Sequence, residues 1–251
     1  MESTATATIG LIVLDSDRNV VAQHRMLLPE TVRIETEPVE LKDGIVTNAS
    51  LAAMFDSDQL EIAARRLAER GAQRLCFCCT SGSLIHGPGW DETLTARIES
   101  AAGVPGSTTT SAVLAALRAL DADTIAIGTP YIAEVDEREC AFFERAGFTV
   151  ARIEGLSCYT DPEIAAVTPE QIVALAQRVD RPAADAVFLS CTTLNVAGEI
   201  DRLEQILQKP VVTSNQASAW ALMRGLGVAP QSGTYGRLMT SRAPGNRMRA
   251  G

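Results

Sequence analysis

The sequence predicts an α/β protein of two pseudo-symmetric domains, each a parallel sheet covered by helices. Three observations lead there. Short, wholly apolar runs bounded by turn residues recur along the chain, as expected of strands buried on both faces. Segments with helical spacing of apolar residues alternate with those runs, which is the pattern of parallel sheets. A set of short motifs in the first half returns in order in the second.

The first strand is Ile9–Leu14, ended by the turn-like Asp15-Ser16-Asp17. Ser57 opens a helix whose Leu60, Ala63, Ala64 and Leu67 share a face and which Gly71 can close. Arg74 to Cys79 is strand-like, Asp91 to Ala102 a helix stopped by Gly103, and a further helix begins at Ser107 or Thr109. Thr124–Ile127 is a strand leading into Gly128-Thr129-Pro130-Tyr131, followed by a helix from Glu134 to Ala146 that stops at Gly147. In the second half Phe148–Ile153 is a strand. Thr168-Pro169 starts a helix with a cap and a proline at its first position. Ala186–Ser190 is a strand ending at Cys191, Ile200–Leu207 a helix, residues 210–213 a short strand, and Ser218–Leu226 a helix.

The internal repeat sets the expected domains. One strand ends Cys79-Thr80-Ser81 and is followed by a helix, Val104-Pro105, a Ser/Thr cluster and Ala115-Ala116-Leu117-Arg118. The other ends Cys191-Thr192-Thr193 and is followed by a helix, Lys209-Pro210, Thr213-Ser214-Asn215-Gln216 and Ala221-Leu222-Met223-Arg224. We expect a first lobe over residues 1–118 carrying Cys79 and a second over 119–214 carrying Cys191, with 215–251 packing back on the first.

Composition narrows the function. The chain has 251 residues and a net charge of −9, so its surface repels phosphate backbones and nucleic acid is not an expected partner. No apolar run approaches a bilayer span, and Met1 to Thr8 lacks the basic start of a secretory signal. A cytoplasmic protein with no membrane partner is expected, and its six cysteines are then reduced thiols.

Cys79 and Cys191 stand apart because each falls at the carboxyl end of a buried strand, before hydroxyl residues and a turn. Ligands bind at that end of parallel sheets. Backbone N–H groups there can receive a carboxylate and lower a thiol pKa. Two such thiols could act on a bound acid from opposite sides, one taking a proton or adding to carbon, the other giving a proton. Buried thiols also serve as small hydrophobes, and from the residues alone that reading stays open. Cys76 and Cys78 alternate on the opposite strand face and read as core. Cys76 and Cys79 have no second Cys/His pair at zinc spacing, so no metal is expected. No Walker A or G-x-G-x-x-G motif is present, so no nucleotide cofactor is expected either. His86 lies in a loop that could fold over the Cys79 turn.

Cys79-Thr80-Ser81-Gly82-Ser83, Gly128-Thr129-Pro130-Tyr131, Ser190-Cys191-Thr192-Thr193 and the 212–217 segment together resemble the aspartate/glutamate racemase superfamily. The similar branch holds maleate cis–trans isomerase, arylmalonate decarboxylase and the ectoine-utilisation protein A. The resemblance implies an active site in the cleft between two lobes, no cofactor and a homodimer. In similar maleate isomerases the cysteine matching Cys79 is the nucleophile and that matching Cys191 the proton donor. Arylmalonate decarboxylase typically has glycine at the first position, so a cysteine at both favours an isomerase or racemase over a decarboxylase. By the same matching, Thr80, Ser81 and Thr192 would bind a small carboxylate substrate, and Tyr131 would donate a hydrogen bond to it. Asp17 and Asp161 stand near positions where maleate isomerases carry asparagines that grip carboxylates. An ionised aspartate repels a carboxylate, so these two suit an ammonium group, or act as neutral donors.

Overall fold

A computed structural model describes residues 7–230 and 235–241. The residues before Thr8 in the expected signal-free start, apart from Ala7, and residues 231–234 and 242–251 of the expected C-terminal segment lie outside the described residues.

Two parallel sheets form the frame. In the first, β1 (Ala7–Leu14) lies between β2 (Val32–Val39) and β3 (Arg74–Cys78). In the second, β4 (Thr124–Thr129) lies between β5 (Thr149–Gly155) and β6 (Ala186–Leu189), and β7 (Val211–Thr213) extends it beyond β6. The two halves also match beyond their strands. Pro105 and Ser107 accept backbone bonds from Leu75 and Phe77 beside β3, as Pro210 does from Val187 beside β6. In both halves a threonine then caps a long helix: Thr108 begins α6 (Thr109–Ala119) and Thr213 begins α11 (Ser214–Leu226), each with a reciprocal side-chain bond. α6 and α11 pack against each other, and α11 also touches β3.

Most elements fall where hydrophobic patterning puts them. α3 (Gln59–Glu69) buries Leu60, Ala63, Ala64 and Leu67. α5 (Trp90–Ala102) ends on Gly103 in the left-handed conformation. α7 (Ala133–Arg145) and α10 (Ile200–Leu207) match their expected spans closely, and α9 (Pro169–Val179) starts at the Thr168 cap. α11 begins four residues earlier than Ser218, because Thr213 caps it through the backbone N–H of Gln216. The sequence reading assigned no element to α1 (Val20–Leu27), β2, α2 (Asn48–Ala53), α4 (Thr80–Leu84), α8 (Asp161–Ala165) or α12 (Gly236–Thr240). Cys76 and Cys78 pack with Ile9, Leu11 and Val13, while Phe77 and Cys79 join the opposite core. That is the alternation a strand dictates. Among the described residues no helix is long and apolar enough to cross a membrane.

Candidate active site

The carboxyl ends of the two sheets meet, and each delivers one thiol. Cys79 leaves β3 in an extended conformation and becomes the cap of α4. Its Sγ accepts the Gly82 N–H at 3.3 Å and lies 3.9 Å from Ser81 Oγ. A Cβ at Gly82 would sit 2.9 Å from that sulfur and 2.8 Å from Met54 Cε, so any larger residue there would displace the thiol or the Met54 tip. Cys191 follows β6 after Ser190 and has φ +90°, a backbone region that disfavours every residue except glycine. The Thr193 N–H and the Tyr131 side chain face its sulfur.

Both thiols line one small cavity of about 10 Å³, room for about one water molecule. Thr80, Ser81, Tyr131, Asp161 and Thr192 line it with them, so the structure brings these predicted residues together. Asp17 stands just behind the wall. Its Oδ1 accepts the N–H groups of Asn19 and Val20, capping α1, and its Oδ2 is shut off from solvent. Two of the hydroxyls are already engaged by protein. Thr80 Oγ1 bonds Ser214 Oγ at 2.8 Å, and Thr192 Oγ1 donates to the Cys78 carbonyl at 3.3 Å. These two bonds tie the turn after β3 to the start of α11, and the turn after β6 to the end of β3.

Sequence reasoning missed several residues. Leu14, Leu41, Val46 and Leu51 form an apolar side of the cavity, and Thr193 completes the polar side. Ser16 and Thr193 both donate to the Asp161 carboxylate. The segment carrying Val46 reaches the other lobe through Val46 N–H to Tyr159 O at 2.9 Å. No local pattern marks such residues, because only tertiary structure lays that loop over the strand ends. The Ser/Thr richness of the strand-end turns was the one usable signal for Thr193. His86, on the loop after the Cys79 turn, is exposed, as loop histidines usually are, and packs edge-on against Trp90, with ring centroids 4.4 Å apart.

Among the described residues that line the cavity none is basic. The field is therefore set by burial and by the two carboxylates. Burial pushes Cys79 up to about 12; Asp161 and Asp17 add to the rise, and the Gly82 N–H opposes it. Cys191 and Tyr131 are pushed well above their ordinary values, first by burial. Burial raises Asp161 to about 6 against its bonds from Ser16 and Thr193, and raises Asp17 as well. Burial first, and the two carboxylates after it, hold both sulfurs as thiols.

Two thiols, one following a strand of each parallel sheet, with hydroxyls and backbone N–H groups around them, define the candidate site on this α/β scaffold. Residues 9–239 match the arylmalonate decarboxylase family, and the chain belongs to it, in a branch of the aspartate/glutamate racemase superfamily. It is 33% identical to the arylmalonate decarboxylase of Bordetella bronchiseptica, over 95% of this chain and 98% of that protein. It is 26% identical to the maleate isomerase of Nocardia farcinica, over 92% of this chain and 94% of that one. Among solved structures, a Gly→Cys, Cys→Ser double mutant of arylmalonate decarboxylase in the liganded form superposes with a TM-score of 0.86 at 32% identity. It covers 93% of this chain and 98% of that chain. A mutant of the Nocardia farcinica isomerase with a covalently bound succinylcysteine intermediate shares the fold, at a TM-score of 0.86 and 23% identity. It covers 93% of this chain and 98% of that one.

Proposed function

We propose that the protein is a cofactor-independent isomerase that acts on a small carboxylic acid through Cys79 and Cys191. The observation that carries this is the pair itself: two thiols, one after a strand of each sheet, lining one small cavity. In the cis–trans version, the Cys79 thiolate adds to one carbon of a carbon–carbon double bond. The neighbouring carbon takes the proton of Cys191, and the new single bond turns. Cys191 then takes a proton back as the carbon–sulfur bond breaks. The succinylcysteine of the Nocardia farcinica enzyme is a sulfur–carbon adduct of the kind this scheme requires. In the racemase version, one thiolate removes a proton from the carbon beside the carboxylate and the other thiol delivers one to the opposite face.

The walls bear on the substrate. The cavity holds the Asp161 carboxylate with Asp17 behind it, and none of the described residues that line it is basic, which opposes a dianion such as maleate. An acid bearing an ammonium group toward Asp161 fits the charge better, and its positive charge would lower both thiol pKa values. The apolar side formed by Leu14, Leu41, Val46 and Leu51 suits a hydrocarbon portion.

The test is incubation with maleate and with amino acids in deuterated buffer. Isomerisation yields the trans acid; racemisation introduces solvent deuterium at the stereocentre. Cys79→Ala and Cys191→Ser should each abolish turnover, and full activity in either removes the two-thiol mechanism. A second reading, decarboxylation, is favoured by the 33% identity to the Bordetella bronchiseptica enzyme. Release of carbon dioxide from substituted malonates would establish it in place of isomerisation.

A further inference from the structure

We infer that Gln23, which lines no part of the cavity, is a positioning residue for Cys191 and acts through the Thr192–Thr193 peptide. Gln23 lies on α1 in the first lobe and is 1% exposed. Its Nε2 donates to the carbonyls of Thr192 at 3.3 Å and Leu194 at 3.1 Å. Its Oε1 accepts the N–H groups of Val196 at 3.1 Å and Ala197 at 3.0 Å. The bonding capacity of one amide is thereby filled, all of it on the loop that follows Cys191. A second amide reaches the same peptide, with Asn215 Nδ2 on α11 donating to Thr192 O at 2.8 Å.

The geometry of a trans peptide turns this grip into chemistry. Its C=O and N–H point in opposite directions. Holding the Thr192 carbonyl on Gln23 and Asn215 aims the Thr193 N–H away from them, and that N–H faces the Cys191 sulfur. A hydrogen bond to sulfur favours the thiolate, the form Cys191 takes once it has given up its proton. The same grip holds a cysteine at φ +90°, where an unrestrained chain would relax. Asn19 also reaches the loop, its Nδ2 donating to Thr193 O at 2.7 Å, but that carbonyl belongs to the next peptide, which is not the one aimed at the sulfur. The inference rests on the reading of Cys191 as the proton donor, while its test needs no substrate.

The test measures alkylation of Cys191 by iodoacetamide at fixed alkaline pH in a Cys79→Ser background, with the modified residue identified by peptide mass. Gln23→Met keeps the side-chain length and removes every hydrogen bond. The expected result is slower alkylation of Cys191, by about tenfold, the change for one unit of thiol pKa. Asn19→Ala should change the rate by less than about twofold, because its peptide does not point at the sulfur. A merely structural role predicts the opposite sign, since a loosened loop exposes the thiol and speeds its reaction. An unchanged or faster rate in Gln23→Met overturns the inference. If that variant does not fold, Asn215→Ala removes the other donor to the same carbonyl and must slow the reaction; the parent rate there overturns the inference. Should turnover prove independent of Cys191, the proposed function fails while this alkylation result stands on its own.

Discussion

The two sulfurs are held by different means, and substitutions at each should behave differently. Cys79 acts as a helix cap, accepting the Gly82 N–H. A serine hydroxyl caps at least as well. Cys79→Ser should therefore unfold within about 1 kcal/mol of the parent in urea. Its turnover should fall by at least about 10³-fold, because the hydroxyl is a far poorer nucleophile. Stability lost together with activity would mean the thiol is packing rather than chemistry. Cys191 instead occupies a left-handed backbone position at φ +90°. Glycine ordinarily costs roughly 0.5–1 kcal/mol relative to alanine inside regular structure. Here the order should reverse, with Cys191→Gly more stable than Cys191→Ala by chemical denaturation, both being inactive. Were alanine the more stable, the backbone strain assigned to Cys191 would be absent.

The segment from Leu41 to Met54 contributes Leu41, Val46 and Leu51 to the wall of a cavity of about 10 Å³, too small for any four-carbon acid, so this segment is expected to shift when substrate enters. It is fastened to the far lobe at few points. Asn48 N–H donates to Glu134 Oε1 at 2.8 Å, Asn48 Nδ2 donates to Glu134 O at 3.0 Å, and Val46 N–H donates to Tyr159 O. Asn48 and Glu134 meet in exposed surroundings, so cutting that tie should loosen the cover and leave the core alone. Glu134→Ala should speed alkylation of Cys79 several-fold with little change in melting temperature; an unchanged rate would place the opening elsewhere. How much of the fold was legible follows the same divide between local and tertiary causes. β1, β3, β4 and β6 are central or buried strands, and their unbroken apolar runs announce them. β2 is an edge strand, reading VRIETEPV, whose Glu35 and Glu37 pair with Arg33, Arg66 and Arg70. Its polar face and proline hide it. α1 hides because its buried positions include Gln23 and His24, polar residues that periodicity counts as exposed.

At the scale of the molecule the site was half legible. Cys79, Cys191 and Tyr131 follow strands visible in the sequence, whereas the apolar cover and Gln23 come from segments placed only by long-range packing. What the sequence could not announce at all is how many acids the fold buries, and that governs stability against pH. Glu139 on α7 is fully buried facing Ser190, and burial raises it to about 8. Asp136 is raised to about 6 by burial, and Asp161 likewise to about 6. A carboxyl raised in the folded state keeps its proton there while the unfolded chain loses it. Stability therefore falls as pH climbs from the unfolded pKa to the folded one. For the two aspartates that window closes near 6, and for Glu139 it runs on to about 8. His24, buried and lowered to about 4, acts in the opposite sense, adding stability as pH rises from about 4 to its ordinary value of 6.5. Above that value its contribution is complete, which leaves Glu139 as the main source of slope up to pH 8. From pH 6.5 to 8 it should remove roughly 2 kcal/mol. Glu139→Gln preserves shape and cannot ionise, so its unfolding free energy should stay level across that interval while the parent's falls, as measured by urea titration at pH 6.5, 7.25 and 8. A parent curve that is already level, or a variant that falls just as steeply, would show that Glu139 does not keep its proton in the folded protein.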